Sequence, residues 1–243
     1  MEATATRRPA GTESVRGDTD SVPRVAVFDL DGTLTRADTY LHFLVGLLLR
    51  SPGRWTTAPA LAWAVAMFAA GRRDNAWLKA FFLRRIVGGQ SPRKVEAWID
   101  RHVERILAEG LMPGGTAELR RLRARGVRLV LASASPDLYV RPLAVRLGFD
   151  DVLCTRAARR PDGAWTGELD GGNCRGEEKR RRVEAHLSTL GADWSQAAFY
   201  SDHHSDWPLL EAAARPHAIN PTPRLARLAR EAGVPTLDWR ART

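Results

Sequence analysis

The chain has 243 residues, 44% of them hydrophobic: enough for one large domain or a core with an insertion, and too apolar for a disordered protein. Its net charge of +9 rests on 37 basic against 28 acidic residues, and lysines stand only at 79, 94 and 179. Arginines mixed with Asp and Glu along helices do not build a one-sided basic stripe, so no nucleic acid is expected; attraction to anionic lipid or phosphorylated substrates stays open.

Residues 1–22 are polar, without the apolar block of a secretory signal, and read as a flexible tail. Val25-Ala26-Val27-Phe28 is an apolar, β-branched run of the kind found in a buried parallel strand. It leads directly into Asp29-Leu30-Asp31-Gly32-Thr33. Burying two carboxylates at a strand end is costly, and a divalent cation with a phosphate would offset that cost. Surface turns and calcium loops share the D-x-D-G pattern, but an apolar strand rarely feeds into them.

Residues 37–112 show helical periodicity and no strand signal, with helices predicted over about 38–50, 55–70, 74–87 and 92–109. Ser51-Pro52-Gly53 and Gly88-Gly89-Gln90-Ser91-Pro92 separate some of them. Alternation then resumes. Helices are expected near 114–125, 136–147, 176–190 and 223–232, with another starting near 206. Strands are expected at 127–132, 151–154, 196–200, 217–219 and 234–237, and a turn or hairpin at 155–172. This order predicts an α/β fold: a Rossmann-like, doubly wound parallel sheet built from 23–36 and 113–243, with 37–112 as a helical cap over its carboxyl edge.

Residues 55–71 carry no charge over 17 positions, and Phe43–Leu49 is also apolar. A spanning helix needs about 20 residues. Two readings remain: a core helix of the cap, or a hairpin within 41–73 that dips into a membrane interface, anchored by Trp55, Trp63 and the flanking arginines. Cys154 and Cys174 form neither a disulfide framework nor a metal-ligand pattern, which suggests a reduced, cytoplasmic-facing protein, with Cys154 as a buried thiol.

Phe28-Asp29-Leu30-Asp31-Gly32-Thr33-Leu34-Thr35 resembles the first motif of the haloacid dehalogenase (HAD) superfamily. Three later segments fit its other motifs in order, so the resemblance covers about 24–240. The helical insert is similar to the cap of the phosphoserine-phosphatase-like subfamily, IB. The resemblance implies that Asp29 is the nucleophile, forming an aspartyl-phosphate, and that Asp31 is the general acid and base. An Asp at the second position favours phosphate ester hydrolysis over dehalogenation. Gly32 allows close backbone approach, and Thr33 offers a phosphate or metal-shell contact. In the second motif Ser133 is the expected phosphate contact, beside Ala134 where many relatives have Gly. Ser135 before Pro136 reads instead as a helix cap. In the third motif, Cys174-Arg175-Gly176-Glu177-Glu178-Lys179, the phosphoryl-neutralising cation is Lys179 or Arg175, with the compact ammonium of Lys179 preferred. In the fourth, Asp202 and Asp206 would join Asp29 and Asp31 around Mg2+, with Ser201 and Ser205 departing from the usual pattern. The adjacent His203 and His204 invite a zinc reading, disfavoured because consecutive residues rarely ligate one ion.

Asp38 matches an acidic residue that contacts the substrate amino group in phosphoserine phosphatases. The apolar insert resembles instead the bacterial phosphatidylglycerophosphatase branch. The expected activity is therefore an Mg2+-dependent phosphatase acting on a small phosphorylated metabolite, or on a lipid phosphate at the inner membrane face. A non-catalytic phosphate-binding scaffold is the third reading, opposed by the intact Asp29/Asp31 pair.

Overall fold

The computed structural model describes residues 22–241, so the expected N-terminal tail, but for Val22, lies outside the described residues. Strand β1 (Val25–Phe28) is followed by an all-helical stretch: α1 (Thr39–Leu49), a 3-10 segment (Pro52–Thr57), α2 (Ala58–Ala69), α3 (Asn75–Phe82) and α4 (Pro92–Arg105). Next come α5 (Pro113–Ala124), β2 (Arg128–Pro136), α6 (Asp137–Leu147), β3 (Asp151–Thr155) and an antiparallel hairpin of β4 (Ala157–Arg159) and β5 (Trp165–Leu169). The chain continues through α7 (Glu177–Thr189), β6 (Ala197–Ser201), α8 (Trp207–Ala212), β7 (Arg215–Ile219), α9 (Pro223–Ala232) and β8 (Thr236–Leu237).

Six strands make one parallel sheet in the order β3-β2-β1-β6-β7-β8. Successive side chains point to opposite faces, and both faces are covered, which is why these strands read as continuous apolar runs. Ala26, Phe28, Leu129, Leu131 and Tyr200 belong to one buried cluster. Val25, Val27, Val130, Ala132 and Phe199 belong to the other. Phe28 and Tyr200 are paired in register and stack at 4.4 Å. The connections from β1 run to β2 on one side and, later in the chain, to β6 on the other. The carboxyl ends of β1 and β6 thus lie at the topological switch, where such sheets bind ligands.

Element boundaries differ from the sequence-based expectation in a few places. The helix expected over 55–70 opens as a 3-10 segment and turns α-helical only at Ala58, with Pro59 in the first turn, where a missing N–H costs nothing. The strand expected over 127–132 runs on to Pro136, and the last strand is confined to Thr236–Leu237. Helices α3 and α4 each run into a wider π-type turn, Leu83–Val87 and Ile106–Gly110.

Phe43, Leu44 and Leu47 of α1 are buried, and Trp98 Nε1 donates to the Phe43 carbonyl at 2.9 Å. A Cβ on Gly46 would stand 2.2 Å from the Trp98 ring, so glycine is needed for this helix contact. The β4–β5 hairpin packs under the insert, where Gly167, at φ +84°, leaves room for the backbone of Arg84. Helix α2 departs from the cap-core expectation: only Leu61 and Ala64 are buried. Among the described residues no helix is long and apolar enough to cross a membrane.

Candidate active site

The end of β1 delivers Asp29 to the carboxyl edge, its N–H bonded to the Tyr200 carbonyl at 2.9 Å. The chain then turns tightly: the Leu30 carbonyl accepts from the N–H groups of Leu34 (2.9 Å) and Thr35 (3.0 Å). Gly32 sits in this turn at φ +81°, and a Cβ there would lie 2.2 Å from Asp202 Oδ2. Glycine is thus required twice, for the backbone angle and for the approach of the Asp202 carboxylate. The turn presents Asp29 and Asp31 to one cleft of about 540 Å³ between the sheet edge and α1 and α3.

Lys179, in the first turn of α7, is 2% exposed and holds two carboxylates: Asp29 Oδ1 at 2.7 Å and Asp206 Oδ2 at 2.7 Å. Burial opposes its charge, but Asp206 and Asp29 more than compensate and raise its pKa. Asp29 is pushed up to about 6, by burial first, with Lys179 pulling the other way. Asp202 is pushed up to about 8 by burial and by the neighbouring Asp29 and Asp206. Asp206 Oδ1 is buried without a hydrogen-bond partner, while Ser201 Oγ donates to its other oxygen at 2.9 Å. One lysine among these carboxylates leaves negative charge uncompensated, the setting a divalent cation would relieve. Among the described residues no three His, Cys, Asp or Glu side chains already converge as a metal cage. Magnesium does not demand one, since it is commonly held by one or two carboxylates with waters and substrate oxygens. Asp29 and Asp202 fit that role.

Asp31 is held differently. Thr39 N–H and Thr39 Oγ1 both donate to its Oδ1 at 2.6 Å, and Ser135 Oγ donates to its Oδ2 at 2.6 Å. Thr39 is in turn bonded to the Tyr139 hydroxyl at 3.0 Å. Burial is the largest influence on Asp31 and raises its pKa despite these donors.

The structure corrects one reading of the second motif. Ser135 was expected to cap a helix, yet the residue at the N-cap of α6 is Pro136, with no side-chain cap, and Ser135 lines the cleft. The register of β2 against β3 shifts between Ser133 and Pro136, which breaks the regular alternation and lets Ser135 reach Asp31. Ser133 is buried, its Oγ accepting from Ser135 N–H at 3.0 Å, and it supports the loop from behind. Ala134 lines the cleft, and its carbonyl accepts from Thr155 Oγ1 at 2.7 Å.

The other expected residues divide between the cleft and its supports. Thr33 is fully buried, its Oγ1 3.4 Å from Asp202 Oδ1. Asp38 lines the cleft and also caps α1, accepting from Leu41 N–H at 2.8 Å. Arg175 is exposed at the rim, 3.4 Å from His203 Nδ1. Lys179, not Arg175, thus touches the Asp29 carboxylate. His203 Nδ1 accepts from Ser205 N–H at 3.1 Å and so serves the loop that carries Asp206. Both cysteines are buried, and burial pushes the Cys154 thiol up to about 12.

Sequence reasoning missed Lys79. It extends from α3 to the Ala134 carbonyl and to Asn173 Oδ1 (2.9 Å), joining the insert to the second-motif loop. Burial lowers its pKa to about 8, with Asp31 pulling back up. A lone lysine inside the apolar run Ala76-Trp77-Leu78-Lys79-Ala80-Phe81-Phe82 was the available signal.

A family model for haloacid dehalogenase-like hydrolases matches residues 26–211. Protein CicA of Caulobacter vibrioides is 31% identical over 204 residues, which span 84% of this chain and 89% of that protein. Phosphoserine phosphatase SerB1 of Mycobacterium tuberculosis is 30% identical over 219 residues, 88% of this chain and 70% of that one. A crystal structure of a protein of unknown function from Bordetella pertussis superposes with a TM-score of 0.78 at 27% identity, covering 90% of this chain and 100% of that one. With the acidic pair, the buried lysine and the parallel sheet in place, the chain belongs to the haloacid dehalogenase-like hydrolases, and within them to the phosphoserine-phosphatase-like phosphatases.

Proposed function

We propose that the protein is an Mg2+-dependent phosphomonoesterase that works through an aspartyl-phosphate at Asp29 on a small phosphorylated metabolite. The observation that carries this reading is the opening of Asp29 and Asp31 to one cleft, with Lys179 fixed on Asp29. Lys179 holds one oxygen of Asp29, which leaves the other to attack phosphorus. A P–O bond forms to Asp29 as the ester P–O bond breaks. Asp31, whose pKa burial raises, acts as the acid and gives its proton to the departing oxygen. A water then attacks the phosphorus, Asp31 takes its proton, and inorganic phosphate leaves as the Asp29 carboxylate is restored. Asp29 and Asp202 would hold the magnesium ion, with Asp31 and Asp206 in support; when bound it neutralises phosphoryl oxygen charge. Lys179 supplies a fixed cation for the same charge.

A phosphorylated amino acid suits the rest of the cleft. Arg36, Asp38, Tyr40, Leu44, Asn75 and Phe82 all line the cleft; Asp38 would meet an ammonium group, and Arg36 and Asn75 would pair with a carboxylate. The SerB1 relative supports the same class. The test is phosphate release from an aryl phosphate and from phosphoserine, each with magnesium and with chelator. Turnover is expected to require the metal and to vanish in Asp29→Asn. Full activity in that variant, or in excess chelator, would refute the mechanism. Turnover of phosphatidylglycerophosphate but not of phosphoserine would move the substrate to the lipid class.

A further inference from the structure

Helix α2 has no polar side chain: Ala-Pro-Ala-Leu-Ala-Trp-Ala-Val-Ala-Met-Phe-Ala. A helix apolar on every side is normally buried on every side. Here only Leu61 and Ala64 are buried, while Trp63, Val65 and Phe68 are 51%, 48% and 40% exposed. Helix α1 adds a stripe at four-residue spacing, Leu41, Val45 and Leu49, each about half exposed or more. Trp55, 55% exposed, is tied to the end of α1 by its Nε1 bond to the Leu48 carbonyl at 3.0 Å. Of the ten large apolar side chains that stand out as exposed among the described residues, seven fall within 41–68. Such clustering marks an interaction surface, since scattered exposure is the ordinary case.

The surrounding charge selects the partner. Between residues 39 and 92 six arginines face a single acid, Asp74. Arg72 and Arg73 are exposed directly after α2, and Arg50 directly after α1. A symmetric pairing of two copies would set this arginine-rich face against itself, which is repulsive. An anionic surface with an apolar interior accepts both features at once. At 12 residues, α2 is about 18 Å long, too short to span the roughly 30 Å hydrocarbon layer but suited to lie in its interface. Tryptophans such as Trp55 and Trp63 are favoured at headgroup depth, and arginines reach the lipid phosphates.

We propose that the exposed faces of α1 and α2 seat the protein on an anionic phospholipid bilayer as a peripheral, non-spanning contact. Leu41 belongs both to this stripe and to the wall of the catalytic cleft, so docking sets the mouth of the cleft at the lipid surface. The proposal does not depend on the chemistry at Asp29.

The test is flotation of the full chain with phosphatidylcholine vesicles, with and without phosphatidylglycerol. Aryl-phosphate turnover in solution and molar mass by light scattering are measured in parallel. Binding is expected only to the anionic vesicles. It should fall about tenfold or more in Trp63→Ser/Phe68→Ser, and likewise in Arg72→Glu/Arg73→Glu or at high salt, with solution turnover unchanged. Absence of binding to anionic vesicles, equal binding by both variants, or a dimer that Trp63→Ser/Phe68→Ser dissociates would each overturn it.

Discussion

Replacing Lys179 by methionine removes the one cation from the buried carboxylate cluster while nearly keeping the side-chain volume. Its Nζ lies 2.7 Å from both Asp29 Oδ1 and Asp206 Oδ2, and Asp206 is as buried as the lysine. Removing one member of a buried, hydrogen-bonded charge group leaves the others uncompensated, at a cost of about 3–5 kcal/mol. With a urea dependence of about 3 kcal/mol per molar for a chain of this size, the unfolding midpoint should fall by roughly 1–2 M in metal-free buffer. Lys179→Met/Asp206→Leu removes both ends of one pair and should regain at least half of that loss, while phosphate release stays abolished. Arg175→Met, at the exposed rim, should move stability by no more than about 0.5 kcal/mol. Urea titrations followed by circular dichroism give all three values. If Lys179→Met cost less than about 1 kcal/mol, or if the double variant were the least stable of the set, the electrostatic account of the site would be wrong.

Gly32→Ala places a Cβ 2.2 Å from Asp202 Oδ2 at a backbone angle that disfavours side chains, so magnesium half-saturation in the turnover assay should rise steeply; an unchanged metal requirement would refute this. His102 is packed among the Phe43, Trp98 and Tyr139 rings, and burial lowers its pKa from 6.5 to about 4. Because the folded form binds fewer protons than the unfolded form between those values, stability is full above about pH 6.5 and falls as the solution is acidified toward pH 4, by about 3 kcal/mol from this residue. His102→Phe should flatten that acid limb in a pH series of thermal midpoints, and an identical slope in variant and parent would count against the assignment.

The sequence by itself determined the order of strands and helices and the membership of the acidic pair. An apolar β-branched run must be buried, and two carboxylates at its end make physical sense only at a site that handles phosphate or metal. It favoured Lys179 over Arg175, because a compact ammonium acts as a point charge and lysine is rare in this chain, but it left the two as alternatives. Local pattern could not show which serine of Ser133-Ala134-Ser135 faces the cleft. That depended on the register shift of β2 against β3 between Ser133 and Pro136, a matter of long-range pairing. Lys79 stood out only as a lone lysine in an apolar run; what it bonds was out of reach, since its partners Ala134 and Asn173 lie 55 and 94 residues away. Nor could the charge-free stretch after Trp55 show whether it is covered. Burial is a property of the assembled insert, and only the packing of α2 against α3 revealed that most of α2 faces outward.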